Sequence, residues 1–250
     1  MTDRLVTLAA PLAGFALAIT PCVGQDDAEP APAKPEEETA APAPGPAAKT
    51  LQMFDGKSLG FWKPTNFAGN GGAEVVDGAL RVKTGDGMLN GVSWSRPDDL
   101  PRVDYEVKAT ARRVEGDDFF YCLTFPFKDK HASFVAGGWG GSVCGISSID
   151  FMDAMENMTM SVREFETGKW YTFRLVVTDH RLQVFVDDER IVNANVKDRK
   201  VDMRFGEIEE SVPFGIATFK TTGEYRDITL RPLTKTEVAA ALKLDEEDEF

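Results

Sequence analysis

Residues 104–114 set Tyr105, Val107, Ala109 and Ala111 against Glu106, Lys108, Thr110 and Arg112, an apolar–polar alternation with a period of two. Successive side chains of a strand point to opposite faces, so this pattern fits a half-buried strand and conflicts with a helix. Residues 170–178 repeat it with Tyr171, Phe173, Leu175 and Val177, and residues 181–186 with Leu182, Val184 and Val186. Asp179-His180 and Asp187-Asp188-Glu189 supply the turns, which predicts a three-stranded meander ending at Ile191-Val192. Residues 119–127 are almost wholly apolar, as in a strand covered on both faces. Asp77-Gly78, between residues 74–76 and 79–83, offers the positive φ that a tight hairpin needs. Residues 51–59 read as a short strand closing on a turn at Asp55-Gly56, and short strands are also expected over residues 212–219 and 225–230, the last closing on Pro232. About a dozen short strands with Gly, Pro and Asp turns predict two antiparallel sheets packed face to face, an all-β sandwich.

That sandwich is expected over residues 50–233. Before it, Arg4 and the apolar run of residues 5–19 read as an export signal, since a bilayer span needs about 20 apolar residues. Small residues at Cys22 and Gly24 place the cleavage after Gly24, giving a signal peptide of residues 1–24 and a secreted or periplasmic chain. An uncleaved anchor or a lipidated Cys22 would leave it tethered to a membrane, although Pro21 fits a lipidation signal poorly. Residues 25–49 are dominated by Ala, Pro and Glu and contain no aromatic or large aliphatic residue, the composition of a disordered spacer. At the other end, Thr234 and Glu237 have capping-box spacing, which predicts a short C-terminal helix before an acidic tail, together residues 234–250. Net charge is −13 with no Lys/Arg cluster, which excludes a phosphate-neutralising nucleic-acid binder and disfavours anionic membranes.

Residues 119–157 concentrate the candidate chemistry. Trp139 stands among four glycines, which let backbone approach a ligand, and its ring suits the C–H face of a sugar. Asp150, Asp153 and Glu156 are spaced three apart, so on a helical turn their carboxylates would line one side. Such a group could act as acid and base or hold a hard cation such as calcium, with Asp150 and Asp153 as ligands. His131 ends a turn nearby and is a candidate base. Cys122 and Cys144 are compatible with a disulfide or with two buried thiols. By alternation Tyr121 and Lys220 are expected to reach a binding face.

Three segments resemble the 3-keto-disaccharide hydrolase domain family: Phe54-Asp55-Gly56-Lys57-Ser58-Leu59 with Trp62; Gly168-Lys169-Trp170-Tyr171-Thr172-Phe173-Arg174 with its meander; and Phe214-Gly215-Ile216-Ala217 through Leu230. The resemblance implies a jelly-roll sandwich similar to concanavalin and laminin-G modules. It also implies cleavage or hydration of 3-keto-glycosides, with His131, Asp150, Asp153 or Glu156 as base and a divalent cation as polariser. The family's polar "Y-E-x-Q-I" segment has no counterpart at Tyr121-Cys122-Leu123-Thr124-Phe125 or Ile146-Ser147-Ser148-Ile149-Asp150. A non-catalytic lectin-like glycan-binding module is therefore the alternative, and a tethered structural domain the third reading.

Overall fold

The computed structural model describes residues 49–243, so the expected signal peptide, nearly all of the spacer and the acidic tail lie outside the described residues. The strands follow in order as β1 (Leu51–Gln52), β2 (Trp62–Pro64), β3 (Ala73–Val76), β4 (Ala79–Val82), β5 (Leu89–Trp94), β6 (Tyr105–Glu115), β7 (Tyr121–Phe127) and β8 (Lys130–Gly137). They continue as β9 (Val143–Ser147), β10 (Ser161–Val162), β11 (Tyr171–Val177), β12 (Arg181–Val186), β13 (Glu189–Asn195), β14 (Gly215–Phe219) and β15 (Thr222–Pro232). A single regular helix, α1 (Lys235–Leu242), closes the described chain.

Two antiparallel sheets form the sandwich. One runs β13-β12-β11-β6-β15-β4-β3, with β1 added to β15, and the other β10-β9-β8-β7-β14-β5-β2. The alternation of β6, β11 and β12 turns Tyr105, Val107, Phe173, Leu175, Val184 and Val186 inward, all nearly inaccessible. Facing them from the second sheet are Tyr121, Leu123, Phe125, Phe134 and Ile146. Tyr121 and Phe173 meet across the interface with ring centroids 4.6 Å apart. Burying one such side chain contributes roughly 1.5–3 kcal/mol, so this aromatic layer is the main adhesive of the domain. Two of its polar tips bond to backbone: the Tyr225 hydroxyl donates to the Phe120 carbonyl at 2.6 Å and the Trp62 indole to the Met53 carbonyl at 2.8 Å.

Local signals act where the sequence placed them. Asp77 and Gly78 have φ of 50° and 78°, the paired left-handed turn of a two-residue hairpin between β3 and β4. The β11-β12-β13 meander is present and docks on β6. β7 is buried along its whole length, because its outer face is also covered. Thr234 caps α1 reciprocally with Glu237: the Glu237 amide donates to Thr234 Oγ1 at 3.2 Å and the Thr234 amide to Glu237 Oε2 at 2.8 Å.

Candidate functional site

Strand parity decides what the seven-stranded sheet shows to the outside. With Tyr121, Leu123 and Phe125 in the core, β7 turns Cys122 and Thr124 outward. Register then sets Cys122 opposite Val135 and Ala217, and Thr124 opposite Ser133. Ser133 in turn faces Ser147 of β9. Cys122, Ser133, Val135 and Ser147 floor a pocket of about 350 Å³ on the outer face of this sheet, within the range of small-molecule sites. Leu89 continues the floor, aromatic Phe119, Trp139, Phe205 and Phe219 form one part of the walls, and Asp118, Asp153, Arg204 and Glu207 the polar part.

The polar end of the pocket is organised around Asp153. Its Oδ1 accepts from Ser147 Oγ at 2.5 Å and from the Ala154 amide at 2.9 Å, while Oδ2 lies 2.7 Å from the Arg204 guanidinium. The Arg204 side chain is 61% exposed, so its remaining donors face solvent at the pocket. Beneath them, Thr124 Oγ1 contacts Ser133 Oγ at 3.0 Å and Ser211 Oγ at 2.6 Å, fastening the 3-10 turn Glu207–Ser211 to the sheet. Burial pushes the Cys122 thiol up to about 12, although Ser133 bonds to it, so it is a neutral apolar group of the floor.

The opposite wall is aromatic. Trp139 sits in a left-handed turn, with φ of 50°, between Gly137, Gly140 and Gly141, which also have positive φ. A bulky residue in this region stores roughly 1–3 kcal/mol of strain and persists only where its surroundings hold it. Here Arg113, buried and stacked on Phe120, donates to the Gly141 carbonyl at 3.1 Å. Asp118 Oδ2 accepts from the Gly140 amide at 3.2 Å. Trp139 is thereby left 38% exposed at the mouth. Phe119 and Phe219 stand with centroids 5.7 Å apart, and Phe205 is 92% exposed.

Of the candidate catalytic, binding and metal residues read from sequence, Trp139 and Asp153 are brought together in this pocket, and the others are not. Asp150 and Phe151 have φ of 52° and 67°, so the chain turns left-handed where a helical turn was expected and the carboxylates do not align. Asp150 instead pairs with Arg199 at 2.9 Å and accepts from the Lys200 amide at 2.8 Å; these bonds, the backbone one first, lower its pKa. Glu156 is exposed and does not line the pocket. Among the described residues no group of three or more His, Cys, Asp or Glu is placed to hold a metal, and Asp150 and Asp153, the expected calcium ligands, are paired with Arg199 and Arg204 respectively.

His131 opposes Pro126 at the far end of β8, outside the pocket lining. Its Nε2 lies 3.2 Å from Arg102, and burial, then that guanidinium, lower its pKa. Tyr121 is a core residue, one position out of phase with the outer face, and burial raises its pKa. Lys220 occupies an exposed turn with φ of 47° and lies 5.7 Å from the Phe219 ring, beyond the lining. Cys122 and Cys144 are free thiols. Register puts them two strands apart on opposite faces of the sheet, which rules out a bridge.

Sequence reading missed Arg204, Phe205 and Glu207 because they lie in an irregular segment with no periodicity. Cys122 and Ser147 were recoverable from parity alone: once Leu123 and Phe125 of β7 and Cys144 and Ile146 of β9 point inward, the residues that alternate with them must point out.

The fold and site define an antiparallel β-sandwich with an aromatic-walled polar pocket on one outer face. The chain belongs to the 3-keto-alpha-glucoside-1,2-lyase-like domain family, whose model matches residues 49–231. No curated protein matches it by sequence. Among solved structures it is similar to a putative glycosyl hydrolase from Parabacteroides distasonis, with 12% identity, a TM-score of 0.46, and coverage of 74% of this chain and 94% of that one. It is also similar to the carbohydrate binding module CBM66 from Bacillus subtilis, with 12% identity, a TM-score of 0.46, and 68% and 95% coverage. The Crh5 transglycosylase matches with 10% identity, a TM-score of 0.48, and 76% and 85% coverage.

Proposed function

We propose that this is an exported carbohydrate-active protein whose pocket takes a 3-keto-glycoside and cleaves it by elimination. The reading is carried by one observation: a carboxylate and a guanidinium, Asp153 and Arg204, paired at 2.7 Å in a pocket walled by Trp139, Phe119 and Phe219. Aromatic faces hold the C–H faces of a pyranose, and the pair supplies the two groups that the chemistry needs. A 3-keto group acidifies the C2–H. Asp153 removes that proton, the C–H electron pair forms the C1–C2 double bond, and the C1–O glycosidic bond breaks. The departing oxygen takes a proton from solvent, leaving an unsaturated keto sugar and a free alcohol. Arg204 hydrogen-bonds the keto oxygen as negative charge gathers there. Export rests on Arg4 and the apolar run of residues 5–19; among the described residues no helix is long and apolar enough to cross a membrane.

A second reading, a lectin-like module, draws on a specific feature. All three pocket carboxylates are already engaged by protein donors: Asp153 as above, Asp118 by the Phe119 amide at 2.7 Å, and Glu207 by the Ala68 amide at 2.5 Å. Among the described residues no histidine or lysine lines the pocket. Incubating the full chain with a panel of 3-keto-glycosides and their unoxidised parents separates the two. Release of the alcohol from keto substrates alone supports the lyase; binding of either class without release supports the module. Neither binding nor release contradicts both.

A further inference from the structure

The loop joining β9 to β10 carries Met152, Met155, Met158 and Met160, half of the chain's eight methionines. Each is 41–51% exposed. The same loop buries Ala154, Asn157 and Thr159, and residues 150–160 contain no Leu, Ile or Val. If the positions only required apolar bulk, those aliphatics would serve, as they do throughout the core; instead every exposed apolar position from 152 to 160 carries a thioether. Elsewhere Met53 is buried, Met203 accepts from Ser133, and Met88 is exposed but stands alone, so the clustering is local.

The backbone that displays these side chains is fixed. The Asn157 amide donates to the carbonyls of Ile146 and Met152 at 2.7 and 3.1 Å, and its oxygen accepts from the Thr159 amide and hydroxyl at 2.9 and 2.6 Å. Thr159 Oγ1 accepts from the Ile146 amide at 2.8 Å. Ala154 and Thr159 pack so closely on Gly145 that a Cβ there would lie 3.1 Å from each, so the loop is seated on β9. A tight turn, with the Glu156 and Asn157 amides both donating to the Asp153 carbonyl, lies between Met152 and Met158. Unbranched methionine side chains can swing together from such a base.

Neutral, polarizable thioethers are poor ligands for hard cations and select soft ones, cuprous ion foremost. We propose that Met152, Met155, Met158 and Met160 form a cuprous-ion site on this loop, which also carries Asp153 of the pocket.

The test is an anaerobic competition in which the full chain draws Cu(I) from a bathocuproine chelator. A second chain carries Met152→Leu, Met155→Leu, Met158→Leu and Met160→Leu, which keep apolar volume at exposed positions. One ion bound per chain, with sulfur scattering in X-ray absorption and no displacement by excess Ca²⁺ or Zn²⁺, is expected. The quadruple variant should bind more weakly by at least the roughly 10–100-fold that even indirect changes around a metal cost. Should it not fold, Met155→Leu and Met158→Leu singly should each weaken binding. Failure of the wild-type chain to withdraw Cu(I), or equal capture by the folded leucine variants through Cys or His, overturns the proposal.

Discussion

On the outer face of the eight-stranded sheet, Glu224 lies between Arg81 and Arg112, its register partners on β4 and β6. The Glu224 side chain is 1% exposed and accepts from Arg81 Nε at 2.7 Å and Arg112 Nε at 2.6 Å. Trp170 is covered by two guanidiniums, those of Arg112 at 4.5 Å and Arg226 at 4.3 Å. Glu106 continues the row to Arg174 and Arg231, and Arg231 reaches Glu237 of α1 at 2.8 Å. The outer face of the seven-stranded sheet is built from serine, threonine, cysteine and aromatic side chains instead. One ion pair there, Asp153–Arg204, lies beside a pocket. Both surfaces arise from the same strand alternation, yet one closes on itself and the other leaves donors and rings for a ligand. A charged, even aromatic-containing face is no sign of a site when its partners are all cross-strand neighbours.

This contrast can be broken from either side. The largest effect should come from Asp153→Asn, which leaves the ring walls intact and removes the base. We expect kcat/KM on a 3-keto-glycoside to fall roughly 10²–10⁴-fold, with sugar affinity retained; unchanged turnover would move the chemistry elsewhere. Glu224→Gln strikes the closed face, leaving two guanidiniums without their buried counter-charge. Urea unfolding should show a loss of about 3 kcal/mol, while the pocket keeps its ligand.

A smaller effect concerns pH. The bonds from Arg231, then the Thr234 amide, hold Glu237 down at about 2 against an ordinary 4.5. Its folded pKa is depressed, so its contribution is fully present above about 4.5 and fades as pH falls toward about 2. Because the side chain is 39% exposed, solvent screening limits this to about 1 kcal/mol. The Glu237→Gln chain should lack that part of the acid-induced loss in a thermal series. Smallest of all, His131→Ala should leave turnover and its pH profile unchanged, since the ring is held by Arg102 outside the pocket.

Legibility from sequence followed the same division. Alternation wrote the sheets plainly: the meander, the doubly covered β7, the Asp77-Gly78 hairpin and the Thr234 cap were readable because each depends on neighbours in the chain. Trp139 was readable because four glycines announce an unusual backbone. Asp153 was named only within a trio, because spacing by three suggests a helical side and the left-handed Asp150-Phe151 turn is invisible to that rule. Tyr121 was mistaken by one position of parity, an error that sends a side chain through the sheet. Arg204 and Phe205 required knowledge of where an aperiodic segment lies, which is a tertiary fact.

If the pocket beside Trp139 is the sugar site, ligand affinity must depend on that ring and not on the charged face of the other sheet. Calorimetric titration of a 3-keto-glycoside into wild-type, Trp139→Ala and Glu224→Gln chains, at a temperature where all are folded, measures this directly. Heat of binding lost or weakened by about tenfold in Trp139→Ala, and kept in Glu224→Gln, is the predicted result. Undiminished binding by the Trp139→Ala chain would contradict it.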